Sequence, residues 1–529
     1  MKKYILIFSM VSLLIGACTD QLRENQINQA EDVNRQTAPR YLLTGALVET
    51  AKFYQDKGFK SDQRNAIMEY YQQLFSVKSQ LYEEFAKAPE SWDKEFQILY
   101  LIQSGIDESA KHEKHAIGAA FEILQSFMFA YMTDQFGDIP YTDALRGREG
   151  IVKPAYDNQE DIYIGLLSTL DKAISTLSST SDEIDSDQDL LYFGNKAEWI
   201  RFANSLKIRL LVRSYEAFGG SRKAELQAAA NASIISDNMY NAAVDYEGTT
   251  STNSWPLGFN NDNGGSDFTR RKPSVTFINM LRENNDPRLK AWIAPALKPW
   301  ATNPEDKIIE DIYGYSYSVQ ERDVADNTYD LTGYALDSTY IGVPVGRHDL
   351  PTLYGDVGDD GGGNYQNFKV SSFTNIFLVD SDPLIKATMM EASEVSFCLA
   401  EAASKGWITG NASDYYEAGI KQNMDRWMID GTLADTYIAT NVLNGTEDLR
   451  KIGTQKWLSL FTNGVESYMN YRRTGFPTEI GNVPVSVTQS FPLRTRYPTL
   501  EADNNTEEYD IAVSRLGKDD QTALIWLLK

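Results

Sequence analysis

Two cysteines and three histidines in 529 residues leave little material for a disulfide framework, a zinc constellation or histidine-based catalysis. No G-x-S-x-G, Walker loop, G-x-G-x-x-G, H-E-x-x-H or C-x-x-C pattern occurs. Positive charge is scarce as well, with 50 Lys and Arg against 74 Asp and Glu. Binding a phosphate backbone needs a positive footprint, so nucleic acid is not expected as a ligand. Beyond the N-terminus no apolar run is long enough to cross a bilayer.

What is present begins with Lys2 and Lys3, an apolar stretch from Tyr4 to Ile15, and Gly16-Ala17 before Cys18. A basic start, an apolar run too short for a membrane span and small residues at its end read as a secretory signal over residues 1–17. Ile15-Gly16-Ala17-Cys18 resembles a bacterial lipobox, which makes Cys18 the expected lipidation site. Acyl chains would then hold the protein at a membrane surface without spanning it. Removing residues 1–17 deletes two lysines and no acids, leaving 48 basic against 74 acidic side chains, or −26. Residues 18–38 are polar and read as a tether. Cys398 recurs at helical spacing with Val395, Leu399 and Ala402 and reads as a small buried hydrophobe.

The rest, 39–529, reads as one mainly α domain. Over 40–244 apolar residues recur with the helical period, as in Ile162, Leu166, Leu170 and Ile174, with a helix capped by Ser61 or Asp62 and another ending near Gly137. Over 245–390 Gly, Pro, Asn and Asp interrupt every apolar run, so this stretch is expected to be loop-rich. Over 391–475 helices return, first as a hairpin from Glu391 to Trp427 whose second helix is capped by Asn411 or Ser413. Residues 476–529 read as irregular.

No metal site is expected. His112 and His115 stand three residues apart on a helix without a third ligand. Asp356, Asp359, Asp360 and Asn364, and separately Asp185, Asp187 and Asp189, alternate as calcium ligands can, but lack the bidentate Glu and glycine spacing of an EF-hand and read as solvated loops. A pair of catalytic carboxylates is a spatial feature that sequence spacing does not reveal.

Six segments in order resemble the SusD/RagB family of outer-membrane nutrient-binding lipoproteins of Bacteroidetes. They are TDQFGDIPYTDAL (133–145), AEWIRFANSLKIRLLVR (197–213), DPRL (286–289), SEVSFCLAEAASKG with YYEAGIKQNMDRW (393–427), QKWLSLFTNGVESYMNYRRTGFP (455–477) and RTRYPTLEADNN (494–505). The resemblance implies a helical scaffold with four tetratricopeptide-like helix pairs, no catalytic activity and no cofactor. It also implies a lid-like role above a SusC-like TonB-dependent transporter that takes up captured oligosaccharide or peptide. The expected location is the cell surface, lipid-anchored on the outer membrane. A peptide-binding member, a helical adaptor and a surface glycosidase are the rival readings.

A glycan receptor needs flat aromatic platforms beside amides and carboxylates, and the loop-rich stretch is where they are expected. Trp255 and Phe259 sit among turn formers in NSWPLGFNND, and Trp300 lies between Pro299 and Pro304. Tyr313, Tyr315 and Tyr317 alternate, so on one strand they would share a face. These six residues are the ligand-binding candidates.

Overall fold

The computed structural model describes residues 39–529 apart from 61–63, 75–80, 84–90, 261–265, 330, 332, 348–357, 360–364 and 482–488. The signal, the tether with Cys18, the Ser61/Asp62 cap, Asp356, Asp360 and Asn364 lie outside the described residues. Helices α1 (Pro39–Gln55), α2 (Trp92–Lys111), α3 (His115–Phe136), α4 (Gln159–Ser179) and α5 (Lys196–Ser214) pack as successive neighbours. Asn158 and Asn195 cap α4 and α5 by accepting from the backbone N–H of Asp161 and Ala197. A Cβ on Gly105 of α2 would meet the Phe121 ring of α3 at 2.3 Å, so only glycine allows this approach. α3 is apolar enough to cross a membrane by composition, yet nearly every residue after Ile117 is buried, which makes it the central core helix.

The loop-rich stretch contains α6 (Val275–Glu283), and the second helical part includes α7 (Ala392–Ser404), α8 (Ala412–Arg426), α9 (Asp448–Ser459), α10 (Gly464–Thr474) and α11 (Thr506–Leu516). α7 and α8 form the expected hairpin, capped by Asn411 and drawn together where Gly419 faces the Phe397 ring. Two expectations are corrected. The helix after residue 61 lasts one turn, Arg64–Ile67. Glu69 then takes a left-handed φ of 57°, and its carboxylate accepts from Thr276 Oγ1 at 2.5 Å and Gly481 N at 2.8 Å, which turns the chain into a strand. The supposedly irregular C-terminus contains α11, whose Tyr509 hydroxyl donates to Asp519 at 3.2 Å.

Asp189 and Asp185, candidates outside the loop-rich stretch, have structural partners. Asp189 is buried; its Oδ1 accepts from Leu191 N and Tyr192 N, and its Oδ2 from Gly194 N and Trp199 Nε1 at 2.8 Å. Asp185 pairs with Arg40. His112 and His115 are exposed at the short join between α2 and α3. Cys398 is buried, and its Sγ accepts from Lys456 Nζ at 3.2 Å, so it sits beside charge as well as hydrocarbon.

A buried ion network ties the helices together. Arg209 of α5 donates to both carboxylate oxygens of Glu394 on α7, at 2.6 and 2.7 Å, and to Met389 O at 2.8 Å. One turn on, Arg213 pairs with Asp134 of α3 and Glu466 of α10. Arg288 of the DPRL segment, fully buried, meets Asp286, Asn423 and Gln455.

Short strands organise residues 245–390: β1 (Tyr71–Gln73), β2 (Ala242–Val244), β3 (Arg271–Pro273), β4 (Ile293–Ala294), β5 (Asp306–Glu310), β6 (Ser316–Gln320), β7 (Ser372–Phe373) and β8 (Ala387–Met390). Antiparallel pairing joins β1 with β3, β4 with β7, β5 with β6, and β2 with β8. The last ladder sets Val244 opposite Ala387, so the loop-rich stretch leaves and re-enters the helical part at one point. Its base is an aromatic cluster in which the Phe461 ring lies 4.9–5.7 Å from the rings of Phe277, Trp292, Phe373, Phe377 and Phe59.

Trp255 belongs to this cluster. It is 0% exposed, packs on Phe59 at 4.9 Å, and offers a ligand no face. Trp300, expected in a loop, is likewise buried in a smaller core with Leu74, Ala296, Tyr334, Ile341, Val343 and Val370. In both cases the apolar area of an indole among turn formers is covered by distant parts of the chain.

Two outcomes follow. Arg209→Met strips the counter-ion from Glu394 and should lower unfolding stability by about 3–5 kcal/mol in denaturant titration. Trp255→Ala should cost a similar ~3–5 kcal/mol through its cavity, and in the fraction that stays folded, ligand affinity should change less than twofold in calorimetry.

Candidate ligand-binding site

Where the short strands converge, a cavity of about 470 Å³ opens. Phe268, Thr269 and Lys272 form one wall, Ala294, Pro295 and Leu297 a second, Ser316–Ser318 of β6 a third, and Asn367, Phe368, Val370, Ser372 and Phe373 with Asn375 and Leu378 the fourth. The register explains the assembly. β4 pairs with β7, setting Ala294 opposite Ser372, and Lys298 N donates to Phe368 O at 2.8 Å, which fixes the second wall against the fourth. The β5–β6 hairpin turns its outer positions, Ser316 and Ser318, toward solvent while Tyr317 and Val319 are buried.

Of the six expected ligand residues, Tyr317 alone lines this cavity. Its hydroxyl donates to Asp311 Oδ2 at 2.8 Å and accepts from Asn375 N at 3.1 Å; burial raises its pKa. Tyr313 and Tyr315 do not share a strand face with it. They lie in the hairpin turn, where Asp311 Oδ1 accepts from both backbone N–H groups and the Tyr313 hydroxyl donates to Trp427 O. The chain reverses across residues 311–315, so alternation over 313–317 is not a strand's alternation. Phe259 is 56% exposed, and its N–H donates to Leu378 O beside the cavity, but it is not part of the lining.

Several lining residues escaped sequence reasoning. Phe368, 37% exposed, presents an aromatic surface with Lys298 Nζ 5.4 Å from its ring centre. Asn367 is 1% exposed; its Oδ1 accepts from Lys369 N at 2.9 Å while its Nδ2 has no partner. Lys272, 4% exposed, donates from Nζ to Ser372 Oγ, and burial pushes its pKa down to about 8. The signals were NYQNFKVSSF, which interleaves amides, hydroxyls and aromatics, and RRKPSV, a basic cluster in an acidic chain.

Among the described residues no carboxylate is part of this lining. Three other open cavities differ. One of about 550 Å³ between α6 and α9 carries Glu283, Glu479, Arg450 and Lys451. One of about 520 Å³ beside α1 carries Glu49, Asp56, Asp245 and Glu247. One of about 430 Å³ beside α8 carries Asp237, Asp425 and Asp435. The 470 Å³ cavity thus combines aromatic surface with hydroxyls, amides and the Lys272 amine, the chemistry that accommodates an apolar face edged by hydrogen-bonding groups. Among the described residues no cluster of three or more His, Cys, Asp or Glu suits a metal ion.

The profile of the SusD-like family described as "Starch-binding associating with outer membrane" matches residues 28–498. No curated protein matches the chain in sequence. Solved structures that it resembles include a chitin-binding protein, at TM-score 0.72 and 22% identity over 93% of this chain and 99% of that one. A SusD homolog from Bacteroides fragilis gives 0.72 and 21% over 93% and 100%. A chitin-binding SusD homolog from Flavobacterium johnsoniae gives 0.66 and 20% over 92% and 98%. At such identities these likenesses establish the shared helical fold, and the profile, spanning most of the sequence, establishes the lineage: the chain belongs to the SusD-like family.

Proposed function

We propose that this protein captures oligosaccharides at the bacterial surface in the cavity between β6 and the Asn367–Leu378 segment, and passes them to a SusC-like TonB-dependent transporter. Residues 1–17 act as a signal, Cys18 carries the lipid that anchors the protein to the outer membrane, and residues 18–38 tether the fold to it. The observation that carries the reading is the lining itself: the exposed Phe368 ring beside Ser316, Ser318, Asn367 and Asn375. A pyranose has an apolar C–H face and a rim of hydroxyls, so it stacks on one flat ring while its edge exchanges hydrogen bonds with neutral groups. The family's description as starch-binding at the outer membrane, and two structural neighbours described as chitin-binding, support this class of ligand.

The role is binding rather than hydrolysis. Two carboxylates flanking the scissile bond are what glycoside hydrolysis generally requires, and the described lining of the cavity supplies none. Captured sugar would therefore leave unchanged.

Isothermal titration of the purified protein with a panel of oligosaccharides tests the reading. At least one should bind, and Phe368→Ala should weaken it about tenfold, the equivalent of ~1.4 kcal/mol of lost stacking. Binding that is indifferent to Phe368→Ala, or no binding across the panel, contradicts it.

A further inference from the structure

Several buried cations in this protein are matched with carboxylates. Arg209 faces Glu394, Arg213 faces Asp134 and Glu466, Arg288 faces Asp286, Arg473 faces Glu401, and Lys207 faces Asp171. Lys456 donates to Cys398 Sγ yet lies near enough to Glu394, Glu401 and Glu466 to favour their charged forms, whereas Lys272 has burial alone acting on it. Its side chain is as buried as those of the paired cations, and the neutral Ser372 hydroxyl is its hydrogen-bond partner. An ammonium carries three donors, so two remain. Burying a cation without a counter-charge costs free energy, and that cost is lowered when an anion arrives.

The surroundings favour an anion rather than a neutral acceptor. Lys272 stands on the wall of a cavity with no carboxylate in its described lining, in a chain whose net charge is −24. Lys298, at the edge of the same cavity beside Phe368, adds a second positive group. The buried Asn367 amide contributes a donor without a partner on the adjoining wall. Three donor groups of one polarity thus gather where the rest of the molecule would place acids. Repulsion from acids elsewhere on the surface falls off beyond ~8 Å at physiological ionic strength, so the overall negative charge does not bar an acidic ligand from this cavity.

We infer that the cavity selects glycans bearing an oxyanion, a uronate carboxylate or a sulfate ester, with Lys272 as the residue that pairs with it and Asn367 beside it. This rests on the reading of the cavity as the oligosaccharide site and names the class of sugar it takes. Stacking on Phe368 supplies contact area common to many sugars, and Lys272 supplies the discrimination, because a neutral sugar leaves the ammonium uncompensated.

The test is calorimetry of the wild-type chain with three probes: oligogalacturonides, which carry carboxylates, κ-carrageenan oligosaccharides, which carry sulfate esters, and neutral chito-oligosaccharides. At least one acidic probe should bind ten times or more tighter than the neutral one, and which of the two does so assigns carboxylate or sulfate. Lys272→Met, with its fold checked by circular dichroism, should weaken that acidic probe at least about 30-fold while changing the neutral one little. If Lys272→Met does not fold, the wild-type preference decides alone. Neutral probes binding as well as or better than both acidic ones overturns the inference and leaves the oligosaccharide reading standing. Acidic binding unaffected in a folded Lys272→Met also overturns it. Absence of binding by every probe removes the oligosaccharide reading and this inference together.

Discussion

The packing of Phe461 against six aromatic rings from separate parts of the chain is the interaction on which the candidate site depends. The ring sits just beyond α9, and around it are Phe59 following α1, Tyr70 before β1, Phe277 from α6, Trp292, Phe373 and Phe377. Phe373 lies in β7 and also lines the cavity, so one wall of the site is the outer surface of this core. The β2–β8 ladder clamps the two ends of the loop-rich stretch, and Gln55 links it to both sides by donating to Thr462 O and accepting from Thr388 N. Long loops close at an entropic cost that rises only slowly with length. Here a two-stranded clamp and a shared aromatic core hold about 140 residues of mostly irregular chain in register with the helices.

Charge divides the molecule along the same line. Within the helical part, buried acids and bases meet in pairs that orient α3, α5, α7 and α10, a use of charge that fixes geometry more than it adds net stability. Within the cavity no acid belongs to the described lining, and one amine there meets a neutral hydroxyl. A scaffold whose helices are oriented by buried ion pairs and a site whose amine meets a neutral hydroxyl suit a receptor whose fold is independent of its ligand.

The helical halves were legible because their order is local. Ile162, Leu166 and Leu170 announce a buried face by spacing alone, and Asn158 and Asn411 cap where polar residues precede apolar periodicity. The segments at 197–213 and 455–477 that carry the family resemblance are buried framework, which is why they pointed to the fold and not to the ligand. The loop-rich stretch follows nonlocal rules. Tyr71 pairs with Pro273 and Ile293 with Phe373, partners that no window of sequence brings together. Trp255 and Phe368 both stand among turn formers, and only tertiary neighbours decide that the first is covered and the second exposed. Lys272 was missed because a lysine signals nothing until its carboxylate is found to be absent.

The central claim is that ligand binds where the loop-rich stretch meets the aromatic core. Hydrogen exchange of the protein with and without a bound oligosaccharide tests this most directly, since binding slows exchange in the segments it orders. Protection is predicted at residues 294–298, 316–318 and 367–378. Protection confined instead to α6 and α9, around the cavity that holds Glu283 and Arg450, would contradict the account.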